Sequence, residues 1–134
     1  MNTTKRNRLI TELSHQPAPQ VISIDRFFDG NDDAESIGCT LLEHPGMETF
    51  EKILVGLTRH PDVEAVYARI CELDPGAGCW PSADTVYIAG TISPDELRAI
   101  LTELEPNKVI LAGRDVPAAI AEKHKVPIFA ALWD

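Results

Sequence analysis

Apolar positions along the chain recur with two periods, and the changes of period predict its elements. Leu9, Ile10 and Leu13 mark a short helix, after which Pro17 and Pro19 favour extended backbone, so residues 1–19 read as an arm or linker before a single domain at 20–134. The run from Val21 to Phe28 opens as a β-branched strand and ends in the turn formers Asp29, Gly30, Asn31, Asp32 and Asp33. Behind Pro45, residues Met47, Phe50, Ile53, Leu54 and Leu57 fall on one face of an α-helix.

Residues 62–73 and 85–92 read as strands, joined by a loop at 74–83 that is long for a hairpin, where about two to five residues are usual. Ser93, Pro94 and Glu96 form a capping box with proline at the first helical position, and Leu97, Ile100, Leu101 and Leu104 give that helix a buried face. Val109 to Ala112 is a short apolar run of the kind found in strands buried on both sides. Asp115 can cap a last helix running through His124, and Val126 to Trp133 reads as a closing strand.

The predicted order, β-α-β-β-α-β-α-β, indicates an α+β protein. Its first six elements match a two-layer, ferredoxin-like βαββαβ sandwich with an added C-terminal helix and strand. The rival is a three-layer α/β sheet, because residues 86–132 also read as β-α-β-α-β, which would need parallel crossovers.

Composition narrows the class. With 44% hydrophobic and 25% charged residues, the 134-residue chain has ordinary globular usage rather than the signature of disorder. Its net charge is −9, and residues 16–134 hold nine basic against twenty acidic side chains. Such a surface repels phosphate backbones, so nucleic acid is not an expected partner, whereas a protein partner with a basic surface is. No apolar stretch of signal-peptide or membrane-spanning length occurs, and membrane association is not expected. The cysteines, Cys39, Cys71 and Cys79, are odd in number and lack a Cys-x-x-Cys pair, which predicts a reducing, cytoplasmic setting.

One string is distinctive. Phe27-Phe28-Asp29-Gly30-Asn31-Asp32-Asp33-Ala34-Glu35-Ser36-Ile37-Gly38-Cys39 is followed by His44-Pro45-Gly46, by Trp80-Pro81-Ser82 and by Asp84-Thr85-Val86-Tyr87. On these residues the chain resembles a group of small uncharacterised bacterial proteins, over residues 20–92 and at the final Trp133-Asp134. The resemblance implies a bacterial, cytoplasmic, single-domain protein and brings no activity with it.

Several constellations could carry chemistry. Asp29, Asn31 and Asp33 occupy positions one, three and five of a calcium-loop pattern, and Glu35 adds another oxygen, so these four are the candidate ligands of a divalent cation. Ala34 and Thr40 stand where that pattern requires glycine and glutamate, and a strand-ending turn explains the same residues without an ion. Cys39, His44, Cys71 and Cys79 are zinc-type ligands without the usual tight pairs. Gly76-Ala77-Gly78 lacks the remainder of any nucleotide-binding fingerprint, whereas Gly113 and Arg114 before a predicted helix form an anion-site candidate.

Trp80, in the long loop, either anchors a partner or folds back over the sheet. The leading functional expectation is a non-enzymatic binding or interaction module contacting its partner through Asp32, Asp33 and Trp80. The alternative is a small metal- or ligand-dependent enzyme built on the 29–44 loop, with Asp29, Asp32, Asp33 and Glu35 near Cys39 and His44. Self-association through an open sheet edge is a third expectation.

Overall fold

The computed structural model describes residues 2–113 and 115–134. Along the chain it forms α1 (Thr3–Leu13), β1 (Val21–Ser23), α2 (Ile24–Phe28), α3 (Met47–Leu57), β2 (Val63–Glu72) and β3 (Ser82–Gly90). These are followed by α4 (Pro94–Leu101), β4 (Lys108–Leu111), α5 (Ala118–Ala121) and β5 (Ile128–Leu132). The five strands make one sheet in the order β1-β2-β3-β5-β4, every neighbouring pair antiparallel. The α+β class expected from the sequence is therefore observed.

The ferredoxin-like order is not the one adopted. A split βαβ unit keeps its first two strands parallel with another between them, whereas here β1 lies directly against β2, Val21 opposite Arg69 and Ser23 opposite Tyr67. The parallel crossovers of the three-layer rival are likewise absent from the sheet. Strand identity was readable from side-chain period, but neighbour order depends on how the long connections pack.

Two apolar clusters flank the sheet. The larger joins Leu9 and Leu13 of α1, Ile24, Phe27 and Phe28 of α2, Phe50 and Leu54 of α3, and Leu97 and Leu101 of α4 to alternate residues of β2, β3 and β5. The smaller lies on the opposite face, where Val21, Tyr87, Ala89, Ile128 and Ala130 are covered chiefly by Ile120 of α5. Residues 3–13 are thus no detached arm: Leu9 and Leu13 are buried in the main core. Gly90 permits the β2–β3 end to close, since a Cβ there would lie 2.2 Å from the Asp62 carbonyl oxygen.

Three predicted elements change on folding. The strand expected over 21–28 stops at Ser23, and Ile24, Phe27 and Phe28, spaced as i, i+3 and i+4, turn their side chains inward from a helical segment. The last helix is confined to Ala118–Ala121, with Pro117 at the N-cap position and no side-chain cap, so Asp115 does not cap it. β4, expected to be buried on both sides, is an edge strand with Ile110 and Leu111 exposed. By contrast, the Ser93 cap forms as predicted, its side chain accepting from the Glu96 N–H.

Candidate functional site

The acidic loop is organised by its own backbone. Asn31 is buried, its Oδ1 accepting from the Asp33 N–H at 2.9 Å while Nδ2 donates to Ser36 Oγ at 2.9 Å. Asp33 caps the short 3-10 turn Ala34–Ser36 by accepting from the Glu35 N–H at 3.0 Å. Asp29 pairs with Lys5 Nζ at 2.6 Å, and Asp32 is engaged within the chain. The proposed cation ligands Asp29, Asn31, Asp33 and Glu35 do not converge: Asn31 serves the turn, and the three carboxylates form no ligand cluster among the described residues. Asx-type turn chemistry, the competing explanation of these residue types, accounts for what is seen.

Trp80 is buried, with 1% of its surface exposed, and this removes it from the docking role expected of it. Arg6 holds its loop in place from α1, Nε donating to the Cys79 carbonyl at 2.6 Å and Nη2 to the Gly76 carbonyl at 2.8 Å and to Asp74 at 2.7 Å. From the other side, Asp33 Oδ2 accepts the Trp80 N–H at 2.9 Å. The two loops singled out for outside contacts are tied to each other.

The zinc-type residues form no ligand cluster among the described residues either. His44 uses Nε2 on the Ile37 carbonyl at 2.9 Å and Nδ1 to accept from the Gly46 N–H at 3.0 Å, closing the entry to α3. Cys71 donates to the Ser82 carbonyl, and burial pushes its thiol above its ordinary range, unlike an activated nucleophile. The enzyme reading centred on Cys39 and His44 therefore finds no assembled site among the described residues.

Sequence reasoning missed the one ligand-type cluster the described residues contain, His60, Asp62 and Glu96, whose ligand atoms lie within 4.8 Å of one another. Its hydrogen bonding argues against a metal. His60 Nδ1 accepts from the Asp62 N–H at 3.0 Å, so the ring proton sits on Nε2 and is donated to Glu96 at 2.8 Å. A metal on Nε2 would move that proton to Nδ1, directly against the Asp62 N–H, whereas ligating histidines normally donate from the second nitrogen.

A concave feature lies on the thinly covered face. A cleft of about 560 Å³ opens between residues 16–19 and residues 117–123, with Val21, Pro17, Pro117 and Tyr67 among its lining. Lys123 and Arg26 also border it, Arg26 paired with Glu12. At its wall, Tyr67 donates to His124 Nε2 at 2.8 Å and His124 Nδ1 donates to Glu64 at 2.9 Å. This order of donors fixes the phenol ring from β2 against the segment that follows α5. Burial raises the Tyr67 pKa, so the hydroxyl stays protonated as a donor instead of becoming a phenolate nucleophile.

A family model matches residues 4–133, nearly the whole chain. The chain belongs to the uncharacterised protein YfbO family. The YfbO-family match extends beyond the string read from the sequence and includes α1 from its second residue and residues 109–125. No curated protein and no solved structure matches the chain.

For this YfbO-family chain, the cleft residues lacked a sequence signature. Glu64, Tyr67 and His124 come from β2 and from beyond α5, and only the fold brings them together. Strict alternation of β2 would set Glu64 and Tyr67 on opposite faces, and only the register shift between Val63 and Ala65 breaks that parity, while nothing local predicts His124 beside them. The anion-site candidate at Arg114 falls outside the described residues. No helix among the described residues is long and apolar enough to cross a membrane.

Proposed function

We propose that the protein is a non-enzymatic binding module and that its ligand occupies the cleft between residues 16–19 and 117–123. The observation that carries this is the cleft itself, whose volume of about 560 Å³ falls within the range of small-molecule sites. Its apolar lining at Pro17, Val21 and Pro117 suits a compact hydrocarbon or aromatic body, and Lys123 at its border suits one anionic group. Tyr67, oriented through His124 by Glu64 and with its one proton given to His124, presents a fixed hydroxyl acceptor at the wall.

Free cysteines support a reducing, cytoplasmic setting, and the −9 charge supports a basic protein partner as a second occupant of the acidic surface. That partner has no assigned docking residues, because Asp33 and Trp80 serve the fold.

The test is a series of amide-resolved NMR titrations with benzoate, benzyl alcohol and acetate, each to about 10 mM, near the weak end of specific affinity. Benzoate should shift the amides of Val21, Tyr67 and Ala118 more than either compound lacking its charge or its ring. Lys123→Ala should weaken benzoate binding by about twofold to fivefold, the worth of one exposed charged contact. Benzoate shifts that are absent, or that scatter away from the cleft, would remove this assignment.

A further inference from the structure

We propose that β4 is a self-pairing edge, through which two copies of the chain join their sheets by antiparallel β4–β4 contact about a two-fold axis at Ile110. β4 ends the strand order, so only one of its sides is paired. The ladder shows which of its backbone groups are left over. The Gly90 N–H donates to the Pro127 carbonyl at 2.9 Å and the Trp133 N–H to the Asp84 carbonyl at 2.8 Å, so the odd-numbered residues of β5 serve β3 and the even-numbered ones face β4. The Ala112 N–H donating to the Ile128 carbonyl at 2.8 Å fits the same parity. Lys108 and Ile110, opposite Leu132 and Ala130, therefore spend their N–H and C=O groups on β5. Those of Val109 and Leu111 point out of the sheet, and Arg98 Nη2 reaches the outward Val109 carbonyl at 3.2 Å.

The side chains fit this reading. Ile110 and Leu111 are 47% and 63% exposed, adjacent on an edge where natural sheets usually place charge, proline or a bulge. Lys108 at one end is the only charge in the strand.

A second copy satisfies this edge with its own groups. A two-fold axis at Ile110 sets Val109 opposite the partner's Leu111, and each such pair exchanges both backbone bonds. Ile110 then meets the partner's Ile110 at the closer, non-hydrogen-bonded position, and Lys108 falls opposite the partner's Ala112 instead of a like charge. Within the paired stretch 108–112 the single charged side chain is Lys108, so two copies bring no carboxylates face to face there. A short edge buries less than the roughly 1,200–2,000 Å² of a stable interface, so the dimer is reversible and concentration-dependent. Arg98 competes for the Val109 carbonyl and guards the edge in the free chain.

Sedimentation velocity on the full chain between about 10 µM and about 1 mM tests this, a range suited to weak association. A monomer is expected at the low end and a dimer at the high end. Leu111→Pro deletes an outward N–H without touching the β5 ladder, and should weaken association by at least about tenfold. Ile110→Lys, which sets like charges face to face, should do the same. Circular dichroism confirms that each variant is folded, and Arg98→Ala should tighten the dimer. Amide exchange gives a readout free of substitutions: Val109 and Leu111 gain protection with concentration, while Ile110 does not change. A chain that is monomeric throughout overturns the proposal, as does a dimer that persists in both edge variants with Val109 and Leu111 exchanging at a constant rate. Weaker association on Arg98→Ala overturns the guarding role.

Discussion

Asp33 Oδ2 accepts the backbone N–H of Trp80 at 2.9 Å, across a sequence separation of 47 residues. With Oδ1 on the Glu35 N–H, both oxygens of one carboxylate hold backbone donors, so Asp33 is a strut between the acidic loop and the β2–β3 loop. Asp33→Ala should cost about 2 kcal/mol, because the part-buried Trp80 N–H and the exposed Glu35 N–H both lose a charged acceptor. Asp33→Asn keeps one acceptor oxygen and should cost roughly half of that. Urea denaturation of the two variants measures both, and equal stability of Asp33→Ala and the parent would show that the strut carries no load.

Trp80 and Trp133 are both buried, yet only Trp133 has a partner for its ring nitrogen, donating to the Leu104 carbonyl at 2.8 Å. Trp80→Phe removes a buried donor lacking a protein partner among the described residues and keeps most of the ring. It should stay within about 1 kcal/mol of the parent, whereas Trp80→Ala should lose about 3–5 kcal/mol. Thermal and urea melts compare the two.

Arg6 reaches two carbonyls and a carboxylate of the β2–β3 loop from α1. Arg6→Ala should destabilise by about 2–4 kcal/mol, since it strands part-buried acceptors. Arg6→Lys should recover little, because a single ammonium cannot reproduce the guanidinium fork. Limited proteolysis should then cut near Gly76–Cys79 in both variants and spare the parent.

Calcium or magnesium at millimolar concentration should leave the melting temperature of EDTA-treated protein unchanged. The expectation follows from Asp33, both of whose oxygens already hold backbone donors, and from Asn31, which is buried within its turn. A ligand at about a hundred times its dissociation constant would add roughly 2.7 kcal/mol. A shift of several degrees that disappears in Asp29→Asn would restore the acidic loop as a cation site.

Burial raises the Tyr67 pKa above its ordinary value of 10.0. As pH rises, the unfolded chain releases this proton first, so the stabilisation is complete below the unfolded pKa and is lost as pH climbs through the folded one. Tyr67→Phe should flatten the alkaline limb of the stability curve. Ultraviolet titration of the phenols should show one fewer late-ionising tyrosine in that variant, and an unchanged titration would contradict the shift.

Local patterns were legible wherever a single segment decides the outcome. The spacing from Met47 to Leu57 and the Ser93-Pro94-Glu96 cap predicted α3 and α4, since turn formation and capping depend on residues a few positions apart. The strand character of β2 and β3 followed from their β-branched and aromatic residues, β2 despite its poor alternation. Ile24, Phe27 and Phe28 carried a helical spacing inside a strand-like run, and burial against the main core settled it.

Tertiary structure decided what depends on neighbours. Val109 to Leu111 reads identically as a central or an edge strand, and only the order β1-β2-β3-β5-β4 exposes it. Asp33 and Trp80 carry residue types suited equally to binding and to bracing, and which role they serve depends on a contact between distant loops. The Glu64, His124 and Tyr67 relay is a product of folding alone, because hydrogen bonds act over about 3 Å while the residues that form them lie as far as 60 positions apart. Sequence by itself determined the α+β class, the main helices and the acidic balance; the sheet order, the cleft and the open edge arise from packing among remote segments.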